Sequence, residues 1–534
     1  METEASDSSM PNEASGVGRL GFLLAMAMFV LVVDTSMMNV SISAVVKDLN
    51  TTASSVQAAI ALEALVSAAF ILINSKVGDL IGRKRAFIAG LLAYAVGALA
   101  MTLTQSVLPI IIFWAIIGGL GASLLLPAMQ SLIHGNFTGK AQAKVYGLVG
   151  AAAAIAAAIG PLLGGFLTTY LSWRISFLLE VVIIGIVLSG VGLIKEVPYT
   201  GKRGIDVVGA IFSVLGMGGV VLGILVWQEG GEAVGALILT GVVALAALAW
   251  WLVRQKRREA TTLLDPDLFK SPHFRCGVSQ ELLQQIVLGG SMIALPLFLQ
   301  MVLEYNAMEA GISLAPLSLT MFAVALLASK RAGKRRPAAI IRFGFALVTL
   351  GMALLILVVP RADSGWDLTI PLILVGSGLG GLVSQLSNFT LSPISEERVS
   401  EAAGVNSAGG NFGLSFGLAF AGAIMLASLS FLFTNMAEDS TVLTPSEQQQ
   451  VADVLEDDAQ IMSNTQLNEL ITDVPQEKED EIIRINTDAR PRALQVALLV
   501  PLLAAIIGLA ISFRAVRLPY IKPAASLEGA ALGD

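Results

Sequence analysis

The chain is poor in the side chains that most catalytic and metal chemistry needs. One cysteine, Cys276, among 534 residues excludes an internal disulfide framework and any thiolate metal centre. The only histidines, His134 and His273, fall in polar stretches between apolar runs, with no nucleophile–base pair around them, so the chain is not expected to be an enzyme. No GxxxxGK(S/T) phosphate loop is present, which excludes direct use of ATP and leaves an ion gradient as the energy source, with no cofactor. A net charge of -7 offers nothing to nucleic acid. Aromatic residues make up 6% and charged residues 14% of the chain; soluble domains carry about 25% charge. The first nineteen residues are polar and acidic, without the basic start of a cleaved signal, so the first apolar run reads as a permanent span.

What is abundant is apolar residue and glycine. The chain is 55% hydrophobic, has a mean hydropathy of +0.77 and contains 52 glycines. Small residues let membrane helices approach closely, because packing drives their association. Fourteen runs are long enough to cross a bilayer: 20–42, 55–75, 86–106, 108–131, 145–168, 175–194, 206–227, 233–253, 277–303, 311–329, 338–360, 367–390, 402–433 and 493–514. The thirteenth looks too long and is expected to end early or bend at its Ser and Gly residues. Placing the N-terminus in the cytoplasm puts most of the 33 Lys and Arg inside, including RKR (83–85), RQKRR (254–258) and KRAGKRR (330–336). Both termini are then cytoplasmic, in a multi-pass protein of the plasma (inner) membrane. Much of the negative charge belongs to the polar segment 434–491, which falls outside. It reads either as a helical hairpin over the outer mouth, with EKEDEIIRI feeding the last span, or as a tolerated insertion without a role.

Within the spans, an acid is the informative residue. An ionised carboxylate in hydrocarbon costs roughly 2.5–3.5 kcal/mol on insertion scales. Asp34 lies past the middle of the first span and Glu63 at matching depth in the second, with no Lys or Arg in either. Glu180 lies in the sixth. Such groups can hold a proton near neutral pH, release it to water, or bind an organic cation instead. Asp34 and Glu63 are expected to bind proton and substrate, and to titrate jointly if they share a proton. Glu180 either joins a cavity or reaches outward to water. Glu281 reads as a charge at a helix start. Gln300, Asn406 and Asn411 are further polar candidates, with interhelical hydrogen bonding as their plainer role.

The chain also echoes itself. GGLGASLLLPAMQSLI (118–133) followed by VYGLVGAAAAIAAAIGPLLGG (145–165) resembles GSGLGGLVSQLSNFT (376–390) followed by AGVNSAGGNFGLSFGLAFAG (403–422). Two six-helix halves in parallel repeat, with spans seven and eight inserted, place a site between the halves near mid-membrane. The expected organisation is a tail 1–19, a bundle 20–200, two inserted helices and a linker 201–275, and a second bundle 276–534 that includes the acidic segment 434–491 and a tail 515–534.

Several motifs resemble those of the fourteen-helix drug:proton antiporters of the major facilitator superfamily, the multidrug and quaternary-ammonium efflux type. VVDTSMMNVSIS (32–43) is similar to the first-helix signature at Asp34 and Asn39, with Ser43 where proline is usual. VGDLIGRKR (77–85) is similar to the loop between helices 2 and 3. There Gly78 and Gly82 permit a tight turn, and Asp79 can pair with Arg83 as a breakable latch. The resemblance implies that this latch holds the outward-open state. AAAIGPLLGG (156–165) is similar to the antiporter signature of helix 5, in which Pro161 kinks the helix and Gly160, Gly164 and Gly165 allow close contact. Trp173–Arg174, GIDVVGA (204–210) and PLFLQMVLEYNAMEAGISLAP (296–316) also fit the family.

The departures are specific. The family's helix-4 arginine is replaced by Ala115, beside Trp114, and Gly118 stands for its glutamine. Glu63 stands where tyrosine is common, Glu180 where asparagine is, and Glu304 where glycine is. The resemblance implies an all-α major facilitator fold that exports hydrophobic, cationic or neutral compounds against protons by alternating access, with small molecules, protons and lipid as its partners and a monomer as the working unit. Two alternatives stand beside it. One is export of an endogenous lipid or metabolite with weak proton coupling, which the missing arginine favours. The other is a membrane receptor or scaffold that docks a partner on its acidic segment.

Overall fold

The computed structural model describes residues 10–137, 139–196, 204–228, 231–330, 336–394, 398–449, 467 and 475–519. Fourteen helices in it are long and apolar enough to span a membrane, one for each expected run. We number them α1 (Gly18–Leu49), α2 (Ala53–Ile81), α3 (Arg83–Leu103), α4 (Val107–Asn136), α5 (Lys144–Tyr170), α6 (Trp173–Leu193) and α7 (Val207–Gln228). The remainder are α8 (Val234–Arg257), α9 (Pro272–Val302), α10 (Ala307–Ala328), α11 (Pro337–Arg361), α12 (Gly365–Leu391), α13 (Glu401–Glu438) and α14 (Gln476–Arg517). No strand occurs among the described residues. Helices satisfy every backbone donor within the segment, which is what hydrocarbon demands.

The halves meet along two seams, α5 against α10 and α2 against α13. A shift of eight helices maps each seam onto the other, as the internal echo requires. Close approach at the α5–α10 seam depends on glycine: a Cβ on Gly165 would lie 2.5 Å from the Ala307 carbonyl oxygen, and one on Gly311 2.4 Å from that of Pro161. The inserted helices α7 and α8 pack on each other, and α7 lies against both α2 and α13. Asp206 fixes this pair. Its buried carboxylate accepts from the Trp251 indole and the Gly209 N–H, both at 2.9 Å, and from the Leu263 N–H at 3.1 Å.

The thirteenth helix corrects an expectation. It does not end early, but belongs to one unbroken helix of 40 residues, Val399–Glu438. Its glycines serve contact: a Cβ on Gly413 would meet the Leu282 carbonyl oxygen of α9 at 2.4 Å. Its far end runs past the span and packs Phe433 and Ala437 on Ile485 and Ala489, from the polar extension Gln476–Ala497 of α14. That extension is the EKEDEIIRI helix expected from the sequence. Of the rest of segment 434–491, residues 450–466 and 468–474 lie outside the described residues, as do 1–9 and 520–534 of the tails.

Candidate functional site

A cavity of about 310 Å³ lies between the halves. Its walls come from α1, α2, α4 and α5 on one side and α9, α10, α12 and α13 on the other, again related by the shift of eight. The lining is mainly Leu, Met and Ala, with Asn39, Ser67, Gln285 and Asn411 among its polar groups. Glu63 is its one ionisable side chain among the described residues. It is 8% exposed and accepts no hydrogen bond there, so its carboxylate is available to whatever enters.

Asp34 does not line the cavity. It is 1% exposed and lies behind α1, where the Tyr94 hydroxyl and the Trp114 indole both donate to it. The indole nitrogen stands 2.9 Å from Oδ2 and 3.2 Å from Oδ1. Two neutral donors thus occupy the role expected of a basic residue on α4, and Ala115 beside them is fully buried. Trp114 sits in a π-helical stretch, Ile110–Gly118, whose wider turn re-aims the side chains after it. Tyr94 carried no sequence signal, because nothing local distinguishes a tyrosine in a span from a membrane-interface anchor.

The other expected residues divide. Asn39 lines the cavity, donating to the Thr35 carbonyl at 2.7 Å and reaching the Met292 sulfur across the halves at 3.7 Å. Asn411 also lines it and donates to Ser67 at 3.1 Å, a bond between α13 and α2. Gln300 is a closing contact instead, donating to the Val40 carbonyl at 3.2 Å. Glu180 does not reach outward to water: α1 and α3 bury it completely. Glu281 is not a helix-start charge, because α9 begins at Pro272 and carries it more than two turns inward. There the Gln285 and Asn406 side chains hydrogen-bond to it. His273, expected in a loop, is buried in the first turn of α9, within 2.9 Å of the Pro519 carbonyl.

The cavity has one closed end. Near the Tyr170 end of α5, Gln300 meets Val40, the Met308 N–H donates to Thr169 Oγ1 at 3.0 Å, and Gly165 lies against Ala307 and Gly311 against Pro161. At the other end of α5, a Cβ on Gly147 or Gly150 would meet nothing within 4 Å. No hydrogen bond among the described residues joins α5 to α10 at this end, which is the end that carries Arg83.

At that end Asp79 and Arg83 form an ion pair across the α2–α3 turn. Gly82 between them has φ +101°, a conformation that glycine adopts without strain. Glu196, beyond α6, caps α3 through the Lys84 N–H at 3.2 Å, and Lys84 Nζ donates to the Ile194 carbonyl at 2.8 Å. At the opposite end, Arg174 pairs with Asp48 and donates to the Thr104 carbonyl at 2.6 Å, while Trp173 donates to Asp48 at 3.0 Å. The Trp–Arg pair thus ties α6 to the ends of α1 and α3.

Comparison with known proteins agrees with this architecture. The family profile described as Major Facilitator Superfamily matches residues 24–204 and 201–418. The chain is 30% identical to the cephamycin export protein CmcT of Amycolatopsis lactamdurans, over 74% of the chain and 82% of that protein. It is 26% identical to the drug efflux pump JefA of Mycobacterium tuberculosis (81% and 85%), and 24% identical to a probable actinorhodin transporter of Streptomyces coelicolor (76% and 72%). Among solved structures, a bacterial homolog of the human lysosomal transporter Spinster superposes with a TM-score of 0.61 at 11% identity, covering 94% of this chain and 98% of that one. A D-xylose-proton symporter gives 0.54 at 13% identity, over 76% and 89%. The chain belongs to the Major Facilitator Superfamily and is a multi-pass membrane transporter, not an enzyme.

Proposed function

We propose that this transporter exports hydrophobic compounds of the antibiotic and drug class, cationic or neutral, in exchange for protons. The observation that carries the reading is Glu63, alone as an ionisable group among the described residues that line a mainly apolar cavity, and without a basic partner there. A carboxylate so placed binds either a proton or an organic cation, and competition between them suffices for exchange. The relatives, an antibiotic exporter and a drug efflux pump, support the substrate class. The bundles 20–200 and 276–534 would rock about the α2–α13 and α5–α10 seams, and the basic loops would face the cytoplasm, so that the open cavity loads from inside.

The test is proton flux in proteoliposomes with an internal pH probe on addition of ethidium. A substrate-dependent pH change that Asp34→Asn abolishes supports the reading. Silence toward a panel of cationic and neutral drugs overturns it in favour of export of an endogenous amphiphile. The neutral lining around Glu63 is the observation that favours this second reading.

A further inference from the structure

Glu281 is an embedded acid for which the exchange at Glu63 has no use. It lies on α9 one turn before Gln285, which lines the cavity, on the side of Pro272 and the Arg83 end. Across from it α13 is bare. A Cβ on Gly410 would lie 3.5 Å from Glu281 Oε1 and 3.6 Å from Gln285 Cγ, so the carboxylate and the amide side chain rest on the same patch of α13 backbone. Asn406, one turn before Gly410, is 6% exposed and bonds to Glu281 from α13, as Gln285 does from α9. The next residue after Gly410 is Asn411, whose bond to Ser67 joins this wall to α2, the helix that carries Glu63.

The cluster is short of donors. Gln285 Oε1 and Asn406 Oδ1 are buried without a hydrogen-bond partner among the described residues. No Lys or Arg there forms an ion pair with Glu281. A clamp between two helices gains nothing from acceptors left unmet, since a buried group without a partner keeps its desolvation cost. A proton on Glu281 supplies one donor for three acceptor groups. A primary ammonium carries three N–H donors and no acceptor, which matches a carboxylate and two amide oxygens in number and in charge. Because Gln285 and Asn411 also line the mainly apolar cavity, the occupant that fits both parts has an apolar body behind its charged nitrogen.

We propose that Glu281, Gln285 and Asn406 form a second cation subsite, which takes the protonated primary or secondary amine of a hydrophobic substrate and holds it by its N–H donors. The inference rests on the export reading above, whose exchange step stays with Glu63. A cation without N–H donors, such as a quaternary ammonium, gains nothing from the two amide oxygens and binds through Glu63 and the apolar lining alone.

The experiment uses the full chain in detergent at pH 7, with two fluorescent probes of the same body: dansylcadaverine, a primary amine, and its N-trimethylated quaternary analogue. The wild type is expected to bind the amine about tenfold more tightly than the analogue, as charge-assisted hydrogen bonds imply. Glu281→Gln should erase that preference by weakening the amine and leaving the analogue unchanged. Equal affinities in the wild type overturn the subsite and leave export standing, as does a Glu281→Gln protein that keeps the preference or weakens both probes alike. Displacement of both probes by sodium, but not by choline at equal ionic strength, would give the oxygens to a metal cation and overturn it too. A wild type that binds neither probe sinks the cation-export reading, and the subsite with it. Should Glu281→Gln fail to insert, Asn406→Leu decides, since it removes one acceptor and no charge: a selective loss of amine affinity supports the subsite, and an unchanged preference overturns it.

Discussion

The Trp114 indole N–H points at Asp34 Oδ2 from 2.9 Å, so the embedded acid of α1 is held by an uncharged donor on α4. With Tyr94 completing the clamp, the acid can lose or gain its proton without a competing guanidinium. Removal of the indole donor in Trp114→Phe, which leaves a buried acceptor short of a bond, should weaken the site by about 1–3 kcal/mol. Proton release on ethidium binding, measured in detergent with a pH dye, is expected to shift in its pH profile in Trp114→Phe and Tyr94→Phe and to vanish in Asp34→Asn. An unchanged profile in all three would remove Asp34 from the proton path.

Glu63 faces the cavity directly, so its charge should matter most to charged cargo. Glu63→Gln is expected to depress ethidium efflux by at least about tenfold, the equivalent of roughly 1.4 kcal/mol, and to affect a neutral drug much less. Parallel efflux assays in cells check this. Equal losses for both classes would assign Glu63 to the proton instead.

The closed end depends on bare backbone contact. Gly311→Val would place a Cβ 2.4 Å from the Pro161 carbonyl and should prevent that closure, at a cost of about 1–3 kcal/mol. A lower melting temperature in detergent is expected, together with labelling of a cysteine introduced at Thr169 from that side. A wild-type melting curve would mean that α5 and α10 are not in contact at rest.

Asp206 is tested by Asp206→Ala, which strips three acceptor contacts from Trp251, Gly209 and Leu263. Loss of about 1–3 kcal/mol per orphaned buried group should loosen α7 and α8 from the core. Proteolysis of the α8–α9 linker in membranes, faster in the variant than in wild type, is the expected readout.

Outside the membrane, Lys478 Nζ lies 2.5 Å from Glu447 Oε1. With the hydrogen bonds from the Thr444 N–H and hydroxyl added, that ammonium holds the Glu447 carboxyl down to about 2. Because this lies below the unfolded value of about 4.3, the contact contributes fully above that pH and is lost as pH falls toward 2. A spin-label distance between positions 446 and 477 should hold from pH 7 to about 4, widen only as pH falls toward 2, and become pH-independent in Lys478→Met.

Hydropathy made the fourteen spans legible because length and apolarity alone decide whether a helix crosses hydrocarbon. The internal echo likewise placed a site between the halves, and Asp34, Glu63 and Asn39 stood out because polar groups are costly at that depth. What stayed hidden depends on contacts between distant helices. Tyr94 becomes a clamp only through the packing of α3 on α4, and Glu180 takes neither of its two expected places, cavity or outer water, because its cover comes from α1 and α3. Glu281 was misread by a boundary: starting α9 at 277 rather than Pro272 moved the acid more than a turn toward the surface. The expected early end of helix 13 fails because glycine is a breaker in water but a contact surface in a membrane helix.

The docking of α7 against α2 and α13 breaks the symmetry of an otherwise two-fold scaffold. One seam between the halves is shuttered from lipid by an extra helical pair, while among the described residues no helix lies over the α5–α10 seam. The two seams therefore present unlike faces to the bilayer, one covered by the inserted pair and one without such a cover among the described residues.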